Sequence, residues 1–349
     1  MMFAPIAQPA GAQHTAILGL GAYRPARHVT NDEVAGPIGS TDEWIRTRSG
    51  IRARHFAAAD ESIVSMAAAA SRTALASAGV SAAQIGVVIV ATSTHDVHTP
   101  AAAPAIASAL GMTGPAAFDI SAGCAGFCHG LAVASDLVRG GTAGYALLVG
   151  VEKLSDAIDP ADRATAFLFG DGAGAVVIGP STTPGIGPTV WGSDGEQHDA
   201  IRQTKTWADY VREVDEQGSN AVRPYITMHG TAVFRWASHS LEKVCREALD
   251  RAGVGTDDLD TLIPHQANGR IIEIMARVLK VPENCTVAMD IENSGNTSAA
   301  SIPLAMQALL RDRRAVAGNV ALLVAFGAGL SYAAQVVRLP GLGANAEPA

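Results

Sequence analysis

Aromatic side chains are scarce in this 349-residue chain, at 5% of the total, so aliphatic residues must fill most of any core. Hydrophobic residues make up 48%, enough for a substantial interior built from Ala, Val, Ile and Leu. Cysteine is limited to Cys124, Cys128, Cys245 and Cys285, which form neither a paired CxxC zinc framework nor the dense pattern of a small secreted domain. Reduced thiols are expected, and the three besides Cys124 read as small core residues. No apolar run reaches the ~18 residues of a membrane span, and no basic N-terminal region precedes an apolar core, so a cytosolic chain is expected. Basic charge is also short. A net charge of −8 argues against general nucleic-acid binding, although a local basic patch could still meet an acidic partner. A dinucleotide fingerprint is missing too: Gly19-Leu20-Gly21 lacks the third glycine, and Gly170-Asp171-Gly172-Ala173-Gly174 precedes a strand where that motif opens a helix.

What is present is an internal repeat. Ala74-Leu75-Ala76-Ser77-Ala78-Gly79-Val80 recurs as Ala248-Leu249-Asp250-Arg251-Ala252-Gly253-Val254, a helix end with a glycine cap. Each copy leads into an apolar strand, Val87 to Ala91 and Thr261 to Ile263. Further on, Phe118-Asp119-Ile120 leads through a small-residue turn to Cys124 and a helix, and Met289-Asp290-Ile291 leads through a turn to Asn296 and another helix. The offsets of 174 and 171 residues nearly agree, which points to a duplicated half of about 170 residues.

Alternation of apolar strands with helical segments implies an α/β fold of mostly parallel sheets. Candidate strands are Ala16 to Leu20, Val87 to Ala91, Ala146 to Val151 and Ala175 to Ile178, then Thr261 to Ile263, Thr286 to Asp290, Ala321 to Ala325 and Ala333 to Val337. Helices from Cys124 to about Val138 and from Ser298 to Leu310 are apolar around most of their circumference, so both are expected inside, between sheets. The Pro/Gly-rich stretch Gly179 to Pro188 reads as the junction between halves 14–180 and 181–340. Asp194 to Pro224 reads as an inserted excursion, and residues 1–13 and 340–349 as loose ends.

Cys124 follows a strand and a tight turn and opens a helix, where backbone N–H groups and the helix dipole favour a thiolate nucleophile. His265 stands at a strand end in Pro264-His265-Gln266-Ala267-Asn268, from which a side chain projects into a site. Asn296 alone would be an ordinary helix cap, but the repeat sets it opposite the Cys124 turn.

Asp119-Ile120-Ser121-Ala122-Gly123-Cys124-Ala125-Gly126-Phe127, Pro264-His265-Gln266-Ala267-Asn268 and Gly295-Asn296-Thr297-Ser298-Ala299-Ala300-Ser301 resemble the three active-site motifs of the β-ketoacyl-acyl-carrier-protein (ACP) synthase III family. The resemblance runs from about Ala16 to Leu339. It implies a thiolase-like fold, an internally duplicated αβαβα sandwich with two buried central helices, assembled as a homodimer. It also implies a catalytic triad of Cys124, His265 and Asn296, with Cys124 carrying an acyl group from acyl-CoA as a thioester. Backbone N–H groups of Cys124 and Ala328 would hold the oxyanion. His265 and Asn296 would donate to the enolate formed when malonyl-ACP loses CO2, giving a 3-oxoacyl product. No metal or redox cofactor is required by that chemistry, in keeping with the lack of a metal-ligand cluster in the sequence.

The same resemblance assigns Trp44, Arg48, Arg163 and Asn268 to CoA, with Trp44 and Arg163 on the two faces of adenine. The bare residues allow another reading, because four arginines between 46 and 54 also fit a solvated surface. Arg235, Arg270 and Arg277 match or neighbour positions where the family presents basic charge to its acidic carrier protein. Thr99 stands where members restricted to acetyl primers place a bulky aromatic that closes the acyl tunnel across the dimer, so a larger primer is expected. Fatty-acid and polyketide initiation both fit. A thiolase would show a second catalytic Cys, and an elongating synthase a second His in place of Asn296. A synthase III-like acyltransferase forming esters or amides is the alternative within the fold. A non-catalytic, carrier-binding partner subunit is the alternative outside catalysis, and it has no chemical need for all three triad residues.

Overall fold

The computed structural model describes residues 6–7 and 9–343, and in it the sequence repeat is a repeat of sheet topology. Five strands, β1 (His14–Tyr23), β2 (Ile85–Ala91), β3 (Ala116–Ile120), β4 (Tyr145–Glu152) and β5 (Gly172–Ser181), form a sheet in the order β3-β2-β4-β5-β1. Five more, β6 (Val190–Ser193), β7 (Thr261–Pro264), β8 (Thr286–Val287), β9 (Val320–Gly327) and β10 (Ser331–Arg338), form a second in the order β8-β7-β9-β10-β6. Each strand of the first sheet has its counterpart five strands later in this count, in the same place and sense.

The sheets are mixed rather than mostly parallel. β2 runs parallel to β3 and β4, while β5 is antiparallel to β4 and β1. The second sheet repeats this, with β7 parallel to β8 and β9, and β10 antiparallel to β9 and β6. The reason is connection length: only the three residues Ala328–Leu330 join β9 to β10, too few for a crossover, so the chain must return as a hairpin.

The longer helices are α1 (Asp42–Ser49), α2 (Ile63–Ala78), α3 (Ala102–Ala109), α4 (Gly126–Arg139), α5 (Trp207–Gln217), α6 (Gly230–Ala252), α7 (Gly269–Leu279) and α8 (Ser301–Arg311). The repeated AGV segments end α2 and α6 alike. Gly79 (φ 64°) and Gly253 (φ 66°) take the left-handed conformation, and their N–H groups cap the last carbonyls of each helix.

Strand alternation sorts side chains between layers. Val88, Val90, Leu147 and Val149 face outward under α2 and α3, packed with Met66, Ala70 and Ile106. Ile89 and Leu148 face inward, where Phe127 and Leu131 of α4 and Ile302 and Met306 of α8 meet them and also Ile263, Leu323 and Val337 of the second sheet. Leu262, Leu322 and Val324 point the other way, under Leu241 and Cys245 of α6 and Ile271 and Met275 of α7. The result is αβαβα layering with α4 and α8 buried at the centre. Cys128, Cys245 and Cys285 are buried core residues.

Three expectations need correction. The strand expected over Thr286 to Asp290 stops at Val287, because the Ile291 N–H turns to the Gln266 side-chain oxygen (3.0 Å) and Ile291–Ser294 coils into a short helix. The excursion from Asp194 to Pro224 has structure of its own, with a ribbon of Ile201–Gln203 against Ile226–Met228 and the exposed α5. Of the expected loose ends, residues 1–5, 8 and 344–349 lie outside the described residues. The described remainder is tied down: Ala12 N–H donates to Val138 O (3.3 Å) and Gly343 N–H to Ser77 Oγ (3.1 Å).

Candidate active site

Both central helices begin with a 3₁₀ turn, Gly123–Ala125 before α4 and Ser298–Ala300 before α8, and these turns bring the sequence-predicted chemistry together. Cys124 lies in the first turn, two residues before the α-helix expected to begin with it. Gly123 (φ 52°) and Gly327 make the surrounding backbone close. A methyl group on Gly327 would sit 2.4 Å from the Cys124 nitrogen, and one on Gly123 would sit 2.9 Å from the Ala328 nitrogen. Two backbone N–H groups, those of Cys124 and Ala328, are thereby gathered at the nucleophile.

Burial dominates the thiol. It pushes Cys124 up to about 12, against the pull of the Ser298 hydroxyl, with the nearby Glu152 carboxylate adding to the rise. The resting group is therefore a thiol, not the dipole-stabilised thiolate expected from the sequence, and it must shed a proton to react.

His265 follows β7 and is fully enclosed, and its Nδ1 lies 2.7 Å from Ser301 Oγ. Ser301 Oγ also accepts the Gln266 N–H (3.3 Å). Burial pulls His265 down to about 3, so the ring is neutral, and Phe326 meets it edge-on at 5.6 Å.

Asn296 is clamped by its backbone, its N–H donating to Leu168 O (2.8 Å) and its carbonyl accepting from Gly170 N–H (3.0 Å). The Ser298 N–H donates to Asn296 Oδ1 (2.8 Å), which fixes the amide orientation and leaves Nδ2 as a donor. Ser298 thus orients Asn296 and, through its hydroxyl, also favours the ionised form of Cys124.

All three side chains line one cavity of about 1430 Å³. Trp44, Arg48, Arg163, Asn268 and Arg270 line it too. Arg163 lies over the Trp44 ring at 4.9 Å and Arg48 at 5.5 Å, with Phe167 edge-on at 5.2 Å. The four arginines of 46–54 separate. Arg46 pairs with Asp42 and Arg52 with Glu292 on the surface, Arg54 is wholly buried and donates to Phe167 O (2.6 Å), and only Arg48 reaches the cavity. Asn268 caps α7, accepting the Arg270 N–H at 2.9 Å and donating to Arg48 O at 3.2 Å. Arg235 and Arg277 are exposed on the adjacent helices α6 and α7, outside the cavity wall. Thr99 is exposed and does not line the cavity of its own chain, although Val97, His98 and Ala101 around it do.

Profiles of the family described as 3-oxoacyl-ACP synthase III match residues 118–195, and those of its C-terminal part match 249–339. A mycobacterial β-ketoacyl-ACP synthase III from Mycobacterium avium is 55% identical over 335 residues, covering 96% of this chain and 98% of that one. The Streptomyces glaucescens β-ketoacyl-ACP synthase III is 55% identical over 330 residues, covering 95% and 98%. Among solved structures, the priming β-ketosynthase of the R1128 polyketide pathway superposes with a TM-score of 0.91 at 47% identity, covering 97% of this chain and all of that one. The chain belongs to the β-ketoacyl-ACP synthase III family. It has the thiolase fold of that family and is an acyltransferase-type condensing enzyme.

Several residues of this synthase III site escaped the sequence reading. Glu152, Ser298 and Ser301 are buried polar groups, and Arg202 and Arg223 line the cavity from the excursion. Glu152 left a signal, an acid closing the otherwise apolar strand Ala146 to Val151. The two serines left none beyond their motif.

Proposed function

We propose that this protein starts acyl chains. Cys124 takes the acyl group of an acyl-CoA, and the acyl-enzyme condenses with the enolate formed when malonyl-ACP loses CO2, giving 3-oxoacyl-ACP. The observation that carries the reading is the convergence on one cavity of the Cys124 thiol, the neutral His265 ring and the Asn296 amide, with His265 donating from Nε2 and Asn296 from Nδ2 in the reaction proposed. Two neutral donors suit an enolate oxygen, because they stabilise developing charge without quenching it as an acid would. The N–H groups of Cys124 and Ala328 hold the tetrahedral oxyanion of each acyl transfer. The enolate is generated by decarboxylation, so the reaction runs without metal or redox cofactor.

Trp44, Arg48, Arg163 and Asn268 bind CoA. Arg163 rests on Trp44 too closely to admit a ring between them, so it swings outward as adenine enters. Arg235, Arg270 and Arg277 make no ion pair among the described residues and are available to an acidic carrier. The protein acts in the cytoplasm as a homodimer, in which the Thr99 loop reaches the acyl tunnel of the partner. With a small residue there, the primer is larger than acetyl.

Intact-protein mass spectrometry after incubation with acetyl-, branched and longer acyl-CoAs tests this. The expected result is an acyl adduct that forms fastest with the larger primers and disappears in Cys124→Ala. A clear preference for acetyl-CoA would sink the primer assignment, and no adduct with any acyl-CoA would sink acyl transfer itself.

A further inference from the structure

Cys124 begins as a thiol, and the obvious base is badly set to receive its proton. His265 is neutral, its Nδ1 is engaged by Ser301, and in the function proposed above its Nε2 carries the hydrogen offered to the enolate. Another acceptor lies within reach of Ser298. Glu152, at the end of β4, is wholly buried and surrounded by donors: Ser93 N–H (3.1 Å), Ser93 Oγ (2.9 Å), Thr94 Oγ1 (2.5 Å), Thr92 Oγ1 (3.4 Å) and Ser298 Oγ (3.1 Å). Among the described residues no cation is one of its partners. Burial raises its proton affinity above that of an ordinary carboxylate. Ser298 touches Glu152 and Cys124 at once and holds a left-handed φ of 48°, a backbone conformation that a non-glycine residue adopts only when its surroundings impose it.

We propose that Glu152, acting through Ser298, accepts the proton of Cys124 during acylation and returns it during condensation. This rests on Cys124 being the acylated nucleophile. As Sγ bonds to the acyl carbon, its S–H proton passes to Ser298 Oγ, whose own proton passes to the Glu152 carboxylate. CoA leaves as the thiolate and is protonated by solvent. When the enolate later attacks the acyl carbon and the C–S bond breaks, the proton returns from Glu152 through Ser298 to Cys124. The buried site holds one negative charge before and after each transfer, first on the carboxylate and then on the sulfur or oxyanion. It never has to hold two anions side by side, which a poorly solvated interior strongly disfavours. Glu152 is thus a positioning and relay residue rather than one that touches substrate.

The test separates the half-reactions. Acylation is followed by rapid-quench mass spectrometry with acyl-CoA on the full chain and its Glu152→Gln and Ser298→Ala variants. Decarboxylation is followed as CO2 release from a malonyl thioester in a Cys124→Gln background with and without the same changes. Acylation is expected to fall about 100-fold or more in both variants, the scale of a lost proton acceptor. Decarboxylation, which moves no cysteine proton, is expected to fall less than tenfold. Ser298→Ala breaks the link while leaving Glu152 and the backbone N–H on Asn296, so it carries the test even where Glu152→Gln folds poorly. Parallel loss of both half-reactions, or acylation unchanged in either folded variant, would overturn the relay. A native chain that takes no acyl group would overturn both the relay and the reading beneath it.

Discussion

Neutral His265 is the form the interior selects, and this ties stability to pH. Its affinity for a proton is pulled from 6.5 to about 3 by burial, so between those values the unfolded chain binds a proton that the folded chain does not. Stability from this residue is fully present above about pH 6.5 and is lost as pH falls toward 3, by at most about 1.4 kcal/mol per pH unit. Urea unfolding of the native chain and of His265→Asn from pH 7 to 4.5 checks this. The native chain should lose stability more steeply below pH 6.5, and equal slopes would mean that His265 titrates as an exposed histidine does. Ser301 shows why residue-scale chemistry is only half legible in sequence. The histidine is visible as a motif, but its tautomer depends on a hydroxyl 36 positions away that only packing brings to Nδ1.

Elements of this protein are closed by glycines of two kinds, and substitution should tell them apart. Gly79 at the end of α2 has open space around it and a φ of 64°, so Gly79→Ala meets only backbone strain, about 1 kcal/mol, with acylation per mole of folded protein unchanged. Gly327 at the end of β9 has ordinary room in φ, but a methyl group there collides with the Cys124 backbone. Gly327→Ala should destabilise by about 1–3 kcal/mol and abolish most acylation by moving the nucleophile's turn. Thermal unfolding together with acyl-adduct formation checks both, and full acylation by Gly327→Ala would refute the close-approach argument. The long strands were legible because their apolar runs are continuous. β8 was overestimated because Gln266, from outside the strand, captures the next free N–H, and no periodicity reports that.

At the scale of the whole molecule, the two halves are joined by Arg24 as well as by the central helices. Arg24 follows β1 and reaches the second half, pairing with Asp290 (3.0 Å) and donating to Gln307 Oε1 (3.0 Å) and Leu304 O (3.0 Å). Both charged side chains are well shielded, at 17% and 11% exposure, so removing one leaves the other poorly solvated. Arg24→Met should cost about 3 kcal/mol, and adding Asp290→Asn should restore part of it. Urea denaturation of the single and double variants checks this, and a loss under about 1 kcal/mol in the single variant would place the joint elsewhere.

Sequence alone determined the duplication, the alternation of strands and helices, the glycine-capped helix ends and the three motifs around Cys124, His265 and Asn296. Each of these is written in neighbouring residues, through side-chain period, turn geometry or a short pattern, and so survives reading along the chain. Tertiary structure alone decided that Arg48 faces the cavity while Arg54 is buried, that Cys124 rests as a thiol, and that Glu152 and Ser298, 146 positions apart, meet beneath it. Those outcomes depend on which groups are removed from water and which donors then face them. Neither is defined until the two sheets close over the central helices.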